Sequence, residues 1–245
     1  MKKVIAPLLT CSLLVTIPSF TFAEETISNQ AQVSLTETQD KELQDILDRE
    51  NLDKESQALV KQKVEETLER GEEIFKERDK KIQQAKASQP QFSIMGQSPG
   101  DFTHVVVRNY FEENLKFAKE VKKYYEEVKA TDDPITARVY RDYIWVEMVK
   151  TGAPWDLKKD LGRKNTYYFN GTIRTGEFIG NAHFGYMGRA IGYDTEFLKF
   201  GAGAYQIYSG TSDLAYFTSY FDDPKDTEAI GYGAALYDSG KTFTR

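Results

Sequence analysis

The chain has two histidines, and His183 stands in a stretch unusually dense in glycine, residues 180–193. An imidazole can take or give a proton near neutral pH, which makes His183 the first candidate for general acid/base chemistry. Asn181 suits a helix N-cap, so the sequence predicts a helix over 181–191 with His183 in its first turn. There the helix dipole opposes positive charge and favours the neutral, basic imidazole. Asp156 and Lys158 place a carboxylate and an ammonium in the turn after a helix. Gln206 is an amide among small and apolar residues, where it needs a hydrogen-bonding partner. Asp222 opens the densest carboxylate run, Asp222-Asp-Pro-Lys-Asp226. Each has a plainer reading. His183 fits a hydrogen-bonded core residue, Asp156 with Lys158 fits a local ion pair or cap, and Asp223 with Asp226 fits a helix start. Asp222 is the aspartate that capping explains least.

The elements that must position these groups are mainly helical. Gly185, Gly188 and Gly192 fall at i, i+3 and i+7, and each costs a helix roughly 1 kcal/mol relative to alanine. A bare stripe of this kind admits another backbone, and residues 201–206 offer a second small-residue face, which predicts two tightly packed helices with His183 and Gln206 near their contact. Phe111, Leu115, Ala118, Val121, Tyr125 and Val128 recur at spacings of three and four, an amphipathic helix. Asp133-Pro134 opens another, running to about Val149. Tyr167-Tyr-Phe-Asn170-Gly171-Thr-Ile173 is a hairpin signal, since Asn-Gly suits the type I′ turn. Helices are predicted at about 195–208 and from Asp223-Pro224, the last burying Ala229, Ile230, Gly233, Leu236 and Tyr237. Upstream, Thr36 to Gln39 has capping-box spacing, and Leu43, Ile46, Leu47, Leu59, Val60, Val64, Leu68 and Phe75 form an apolar seam with a break near residues 51–55.

Composition bounds the organisation. Lys2 and Lys3, an apolar run and a small-residue site at Thr21-Phe-Ala23 read as a signal peptide over 1–23, which implies secretion and no stable membrane insertion after cleavage. Residues 24–86 form an acidic helical segment, 87–100 a linker and 101–245 the main domain. Residues 24–99 hold 11 Lys and Arg against 17 Asp and Glu, and residues 100–245 hold 19 against 21. Such a balance leaves no broad basic footprint for nonspecific phosphate binding, although a local basic site remains open. The only cysteine, Cys11, lies in the signal segment, so the mature chain has no thiol chemistry. No His-Glu-x-x-His or Gly-x-Ser-x-Gly occurs, and two histidines without cysteine make a zinc site improbable. The terminal Ser239-Gly-Lys-Thr242 lacks the first glycine of a phosphate-binding loop, Ala235 standing in its place. No cofactor is expected, and Mg²⁺, if used, would fall to the aspartates around Asp222.

Ala153-Pro-Trp-Asp-Leu-Lys158, the stretch Gly180-Asn-Ala-His-Phe-Gly-Tyr-Met-Gly-Arg-Ala-Ile-Gly-Tyr193, Ala202-Gly-Ala-Tyr-Gln206, and Asp222-Asp-Pro-Lys-Asp226 with Ile230 and Gly233 occur in this order. Together they resemble the type 44 polymorphic toxin domain of bacteria, over about residues 101–238. The resemblance implies a nuclease acting on RNA, delivered into competing cells and neutralised in the producer by an immunity protein. By motif position it implies Asp156, Lys158, Asn181, His183, Gln206, Asp222 and Asp226 as site residues. In that frame His183 takes the proton of the attacking 2′-hydroxyl, Lys158 or Arg189 stabilises phosphate charge, and Asn181 or Gln206 orients the groups. Asn181, Arg189 and Tyr186 are the expected substrate contacts. The expected fold is mainly α, a compact helical domain with a small β-hairpin, preceded by an acidic helical segment and a signal peptide. Two rivals stand beside the nuclease: a non-enzymatic secreted binding or surface module, and a cell-envelope hydrolase in which Asp156 and Asp222 pair across a glycosidic bond.

Overall fold

A computed structural model describes residues 34–88, 100–131, 133–200 and 224–240. The expected signal peptide, Gln206, Asp222 and most of the 87–100 linker lie outside the described residues. The described chain is mainly helical with one hairpin. Its elements are α1 (Glu37–Arg49), α2 (Lys54–Ala87), α3 (Gly100–Thr131), α4 (Pro134–Val149), α5 (Leu157–Leu161), β1 (Thr166–Phe169), β2 (Thr172–Thr175), α6 (Gly176–Ala190), α7 (Thr195–Phe200) and α8 (Pro224–Asp238).

Local signals account for most of the boundaries. Thr36 accepts from the Gln39 amide while the Gln39 side chain returns to the Thr36 N–H, completing the predicted capping box. The Asp133 side chain caps α4 ahead of Pro134. At the hairpin tip Asn170 (φ 47°) and Gly171 (φ 81°) both take the left-handed backbone that a type I′ turn requires. The strands pair antiparallel with Tyr167 opposite Arg174 and Tyr168 opposite Ile173.

The start of α6 differs from expectation. It begins at Gly176, capped by the Thr175 hydroxyl at 3.2 Å from the Phe178 N–H, so Asn181 lies inside the helix. A β-strand residue thus doubles as the cap, a junction that the pattern around Asn181 conceals. His183 falls in the third turn, beyond the reach of the terminal dipole.

One core joins all the layers. Leu43, Leu47, Val60, Val64 and Ile82 from α1 and α2 belong to the same buried cluster as Phe111, Phe117 and Val121 of α3, Tyr140 and Ile144 of α4, and Ile179 and Met187 of α6. The seam read in residues 43–75 is therefore the contact through which the acidic segment packs on α3 and α4.

The glycines of α6 are met by α8. A Cβ at Gly185 would stand 2.0 Å from the Ile230 carbonyl oxygen, and a Cβ at Gly233 would stand 1.8 Å from that of Ala182. Each helix therefore lays its backbone on the other's glycine, which offsets the poor helix propensity of both. Residues 201–206, the partner expected for this face, lie outside the described residues.

Candidate functional site around the glycine-faced helix

Asn181 and His183 are two residues apart on α6 and so project to opposite sides. Each side carries a different polar assembly.

On the inner side His183 is wholly buried. Its Nε2 lies 2.9 Å from the Asn114 amide nitrogen. The Asn114 oxygen accepts from the Arg78 guanidinium at 3.0 Å, which in turn donates to the Pro154 carbonyl at 2.7 Å. Because arginine can only donate, Asn114 must turn its oxygen to Arg78 and its NH₂ to His183. Nε2 is then the acceptor, and the imidazole proton sits on Nδ1. Nδ1 has no hydrogen-bonding partner among the described residues. Phe111 meets the ring edge-on at 4.9 Å and Trp155 at 6.1 Å. Burial, with the nearby positive charge of Arg78, lowers the imidazole pKa from 6.5 to about 3. Its neutral form thus follows from desolvation, and the helix-dipole expectation is corrected.

His104, the other histidine, is buried against Tyr168, with ring centroids 6.5 Å apart, and the described hydrogen bond of His183 is to Asn114.

On the outer side Asn181 donates to Asp226 Oδ1 at 2.6 Å. The Lys158 side chain lies across α6 at Gly180, where a Cβ would come 2.6 Å from Lys158 Cγ. Burial lowers the Lys158 ammonium pKa from 10.5 to about 8, against the opposing pull of the Asp226 carboxylate. Arg163 adds to the lowering, while Glu177 and Asp156 oppose it. Lys158 and Asn181 are buried, whereas Asp226 is half-buried in the first turn of α8. The arrangement offers an ammonium able to lose a proton near neutrality beside a carboxylate held by an amide.

The remaining expected site residues are placed as follows. Asp156 precedes α5 and accepts from the Gly152 N–H at 2.9 Å, closing the turn after α4. Arg189 grips Asp238 through Nε (3.1 Å) and Nη2 (2.9 Å) and donates to the Tyr193 carbonyl at 2.7 Å. It lies eight residues past Asn181, roughly 12 Å along α6, where it ties the ends of α6 and α8. Tyr186 is buried between Phe111 and Tyr237, both edge-on. The structure thus brings Asn181, Asp226 and Lys158 together, while the side chains of His183, Arg189 and Tyr186 meet other partners: Asn114, Asp238 and the rings of Phe111 and Tyr237.

Arg78 and Asn114 escaped the sequence reading. Both had a signal: Asn114 falls on the stripe through Val107, Phe111, Ala118 and Val121, and Arg78 on the seam through Val64, Gly71 and Ile82. A polar side chain on an apolar stripe is buried and must be paired. Among the described residues no group of three or more His, Cys, Asp or Glu converges as a metal site would require, and no helix is long and apolar enough to cross a membrane. A cavity of about 280 Å³ between α1, α2 and α4 is lined by Leu35, Leu68, Phe75, Glu147 and Met148, and by none of the site residues expected from sequence.

The hairpin, the glycine-faced helix α6 and α8 all fall within a stretch that is similar to a known family of bacterial toxin domains. Residues 144–239 match the family model described as bacterial toxin 44. The matched segment contains Lys158, Asn181, His183 and Asp226, while Arg78 and Asn114 lie outside it. No curated protein and no solved structure matches the chain.

Proposed function

We propose that this protein is an exported bacterial toxin whose domain cleaves RNA by general acid/base chemistry at Asp226 and Lys158, and that a cognate immunity protein restrains it in the producer. The observation that carries the reading is the Asp226 carboxylate, fixed by Asn181 at 2.6 Å beside the buried Lys158 ammonium at the half-exposed start of α8. The Asp226 carboxylate takes the proton of a ribose 2′-hydroxyl as its oxygen bonds to phosphorus. The ammonium of Lys158 steadies the charge on the phosphate and gives a proton to the departing 5′-oxygen. Solvent then returns the proton from Asp226 to Lys158. His183, wholly buried on the other face of α6, holds the helix in place rather than touching substrate. Export follows from the signal-like residues 1–23.

The test is expression of the chain from Glu24 onward in the cytoplasm of a bacterial host, beside Asp226→Asn and Lys158→Met, with growth followed and total RNA run on a gel. Growth arrest with degraded RNA, relieved by either substitution in protein of unchanged helix content, is expected. Intact RNA with soluble, folded wild-type chain overturns the nuclease reading. Retained cleavage by a folded Asp226→Asn variant removes Asp226 from the mechanism.

A further inference from the structure

The surface beside Asn181 gathers aromatic and cationic groups from three elements. Tyr232 of α8 is a large side chain left 36 % exposed. Its hydroxyl accepts from the Asn170 amide at 3.2 Å, across to the hairpin tip. Its ring centroid lies 5.7 Å from that of Phe178 and 5.9 Å from that of Phe169. Phe169 is buried and anchors the group, while Phe178 is half-buried. Arg174 of β2 sets its guanidinium 4.5 Å from the Phe178 centroid. The neighbouring Arg163 is taken up by Glu177 at 2.7 Å, whereas Arg174 has no carboxylate partner among the described residues. An exposed tyrosine alone is ordinary. A tyrosine held by a hydrogen bond, flanked by a second aromatic and an uncompensated guanidinium, is a stacking platform with a phosphate contact beside it.

Its position gives it a use. Phe178 is one helical turn before Asn181, so the two side chains are neighbours on α6, about 5–6 Å apart at Cβ. A base resting on the platform therefore leaves its phosphate within a nucleotide's reach of Asp226 and Lys158.

We propose that Tyr232, Phe178 and Arg174 form the site that stacks an unpaired base of single-stranded RNA next to the phosphate being cleaved. This rests on the RNA-cleaving reading above and adds to it the strand state of the substrate and the side chains that select it. Stacking on an aromatic face needs an unpaired base, so duplex RNA is excluded by the same geometry. Arg174 draws the backbone phosphate, which makes binding weaken as salt rises.

The test is fluorescence anisotropy of the chain from Glu24 onward with a labelled 2′-O-methyl oligonucleotide, which has no 2′-hydroxyl to attack and reports binding alone. Tyr232→Ala and Arg174→Gln are each expected to weaken binding by roughly tenfold. Tyr232→Phe, which keeps the ring, restores most of it, and the same oligonucleotide annealed to its complement binds more weakly. On cleavable RNA the loss is expected in KM. Circular dichroism melting checks the fold, and Arg174→Gln, on the surface of the hairpin, serves if Tyr232→Ala unfolds. Binding by Tyr232→Ala and Arg174→Gln within twofold of wild type, while wild type cleaves RNA, overturns the platform and leaves the nuclease reading standing. Wild-type chain that neither binds the oligonucleotide nor degrades RNA removes both. Equal affinity for single strand and duplex also overturns the platform.

Discussion

Replacing Gly233 by alanine tests the backbone contact on which the outer site depends. The new Cβ would stand 1.8 Å from the Ala182 carbonyl oxygen. A carbon–oxygen contact settles at about 3.3 Å, so α8 must withdraw by roughly 1.5 Å. Neither atom belongs to a flexible side chain, and rotation cannot relieve the overlap. Overpacking costs about 1–3 kcal/mol, and a rigid backbone contact belongs at the upper end. The gain in helix propensity from glycine to alanine returns about 1 kcal/mol. A net loss of about 2 kcal/mol lowers Tm by roughly 4–8 °C in a chain of this length. The same withdrawal stretches the 2.6 Å bond from Asn181 to Asp226 beyond hydrogen-bonding range, so the cleavage proposed for Asp226 is expected to fall together with stability. Gly231 supplies the control on the same helix. There a Cβ would meet Lys199 Cε at 3.1 Å, the far part of a flexible side chain that can turn away, so Gly231→Ala is expected to be neutral or to raise Tm. Thermal unfolding followed by circular dichroism reads both variants. A Gly233→Ala protein melting at or above wild type, or matching Gly231→Ala, refutes the close backbone contact.

Three further outcomes are expected. The folded-state pKa of His183, about 3, lies below its unfolded value of 6.5, so its contribution to stability is intact above pH 6.5 and is lost as pH falls toward 3. Stability falls by on the order of 1 kcal/mol per pH unit across that window, and urea unfolding should show His183→Gln with a shallower acid dependence than wild type; parallel curves would count against the buried neutral imidazole. The proposed cleavage should decline above about pH 8 as Lys158 loses its proton, and Lys158→Arg, whose guanidinium keeps its charge but does not release a proton, should cleave far more slowly than wild type; a Lys158→Arg variant cleaving at the wild-type rate removes Lys158 as the acid. Thr175→Ala should destabilise the protein by about 1 kcal/mol through loss of the α6 cap, measured by denaturant midpoint, while an unchanged midpoint would contradict the helix start at Gly176.

Much of the fold was legible because it is written in short-range chemistry. Thr36 with Gln39, Asp133 with Pro134, and Asn170 with Gly171 each set a local backbone state, and the structure holds a cap, a helix start and a hairpin turn at those places. The start of α6 was hidden because Thr175 ends a strand and caps a helix at once, while Asn181 also looks like a cap. The members of the outer group, Lys158, Asn181 and Asp226, were all named from their motifs. Their assembly was not legible, since it arises where α5, α6 and α8 meet.

The sequence by itself determined the helical class, the hairpin, the apolar seams and the toxin-domain motifs, because periodicity, caps and turns act within a few residues of chain. Only the tertiary structure decided what surrounds each polar group. His183 is kept neutral by an aromatic pocket and by a hydrogen-bonded line from Asn114 to Arg78, residues 69 and 36 positions apart at its two links. Burial against Gly180 lowers the Lys158 ammonium pKa, and the Asp226 carboxylate takes its orientation from Asn181, 45 residues away. Desolvation and direct contact set the charge and aim of these side chains, and both depend on which distant backbones the fold brings together.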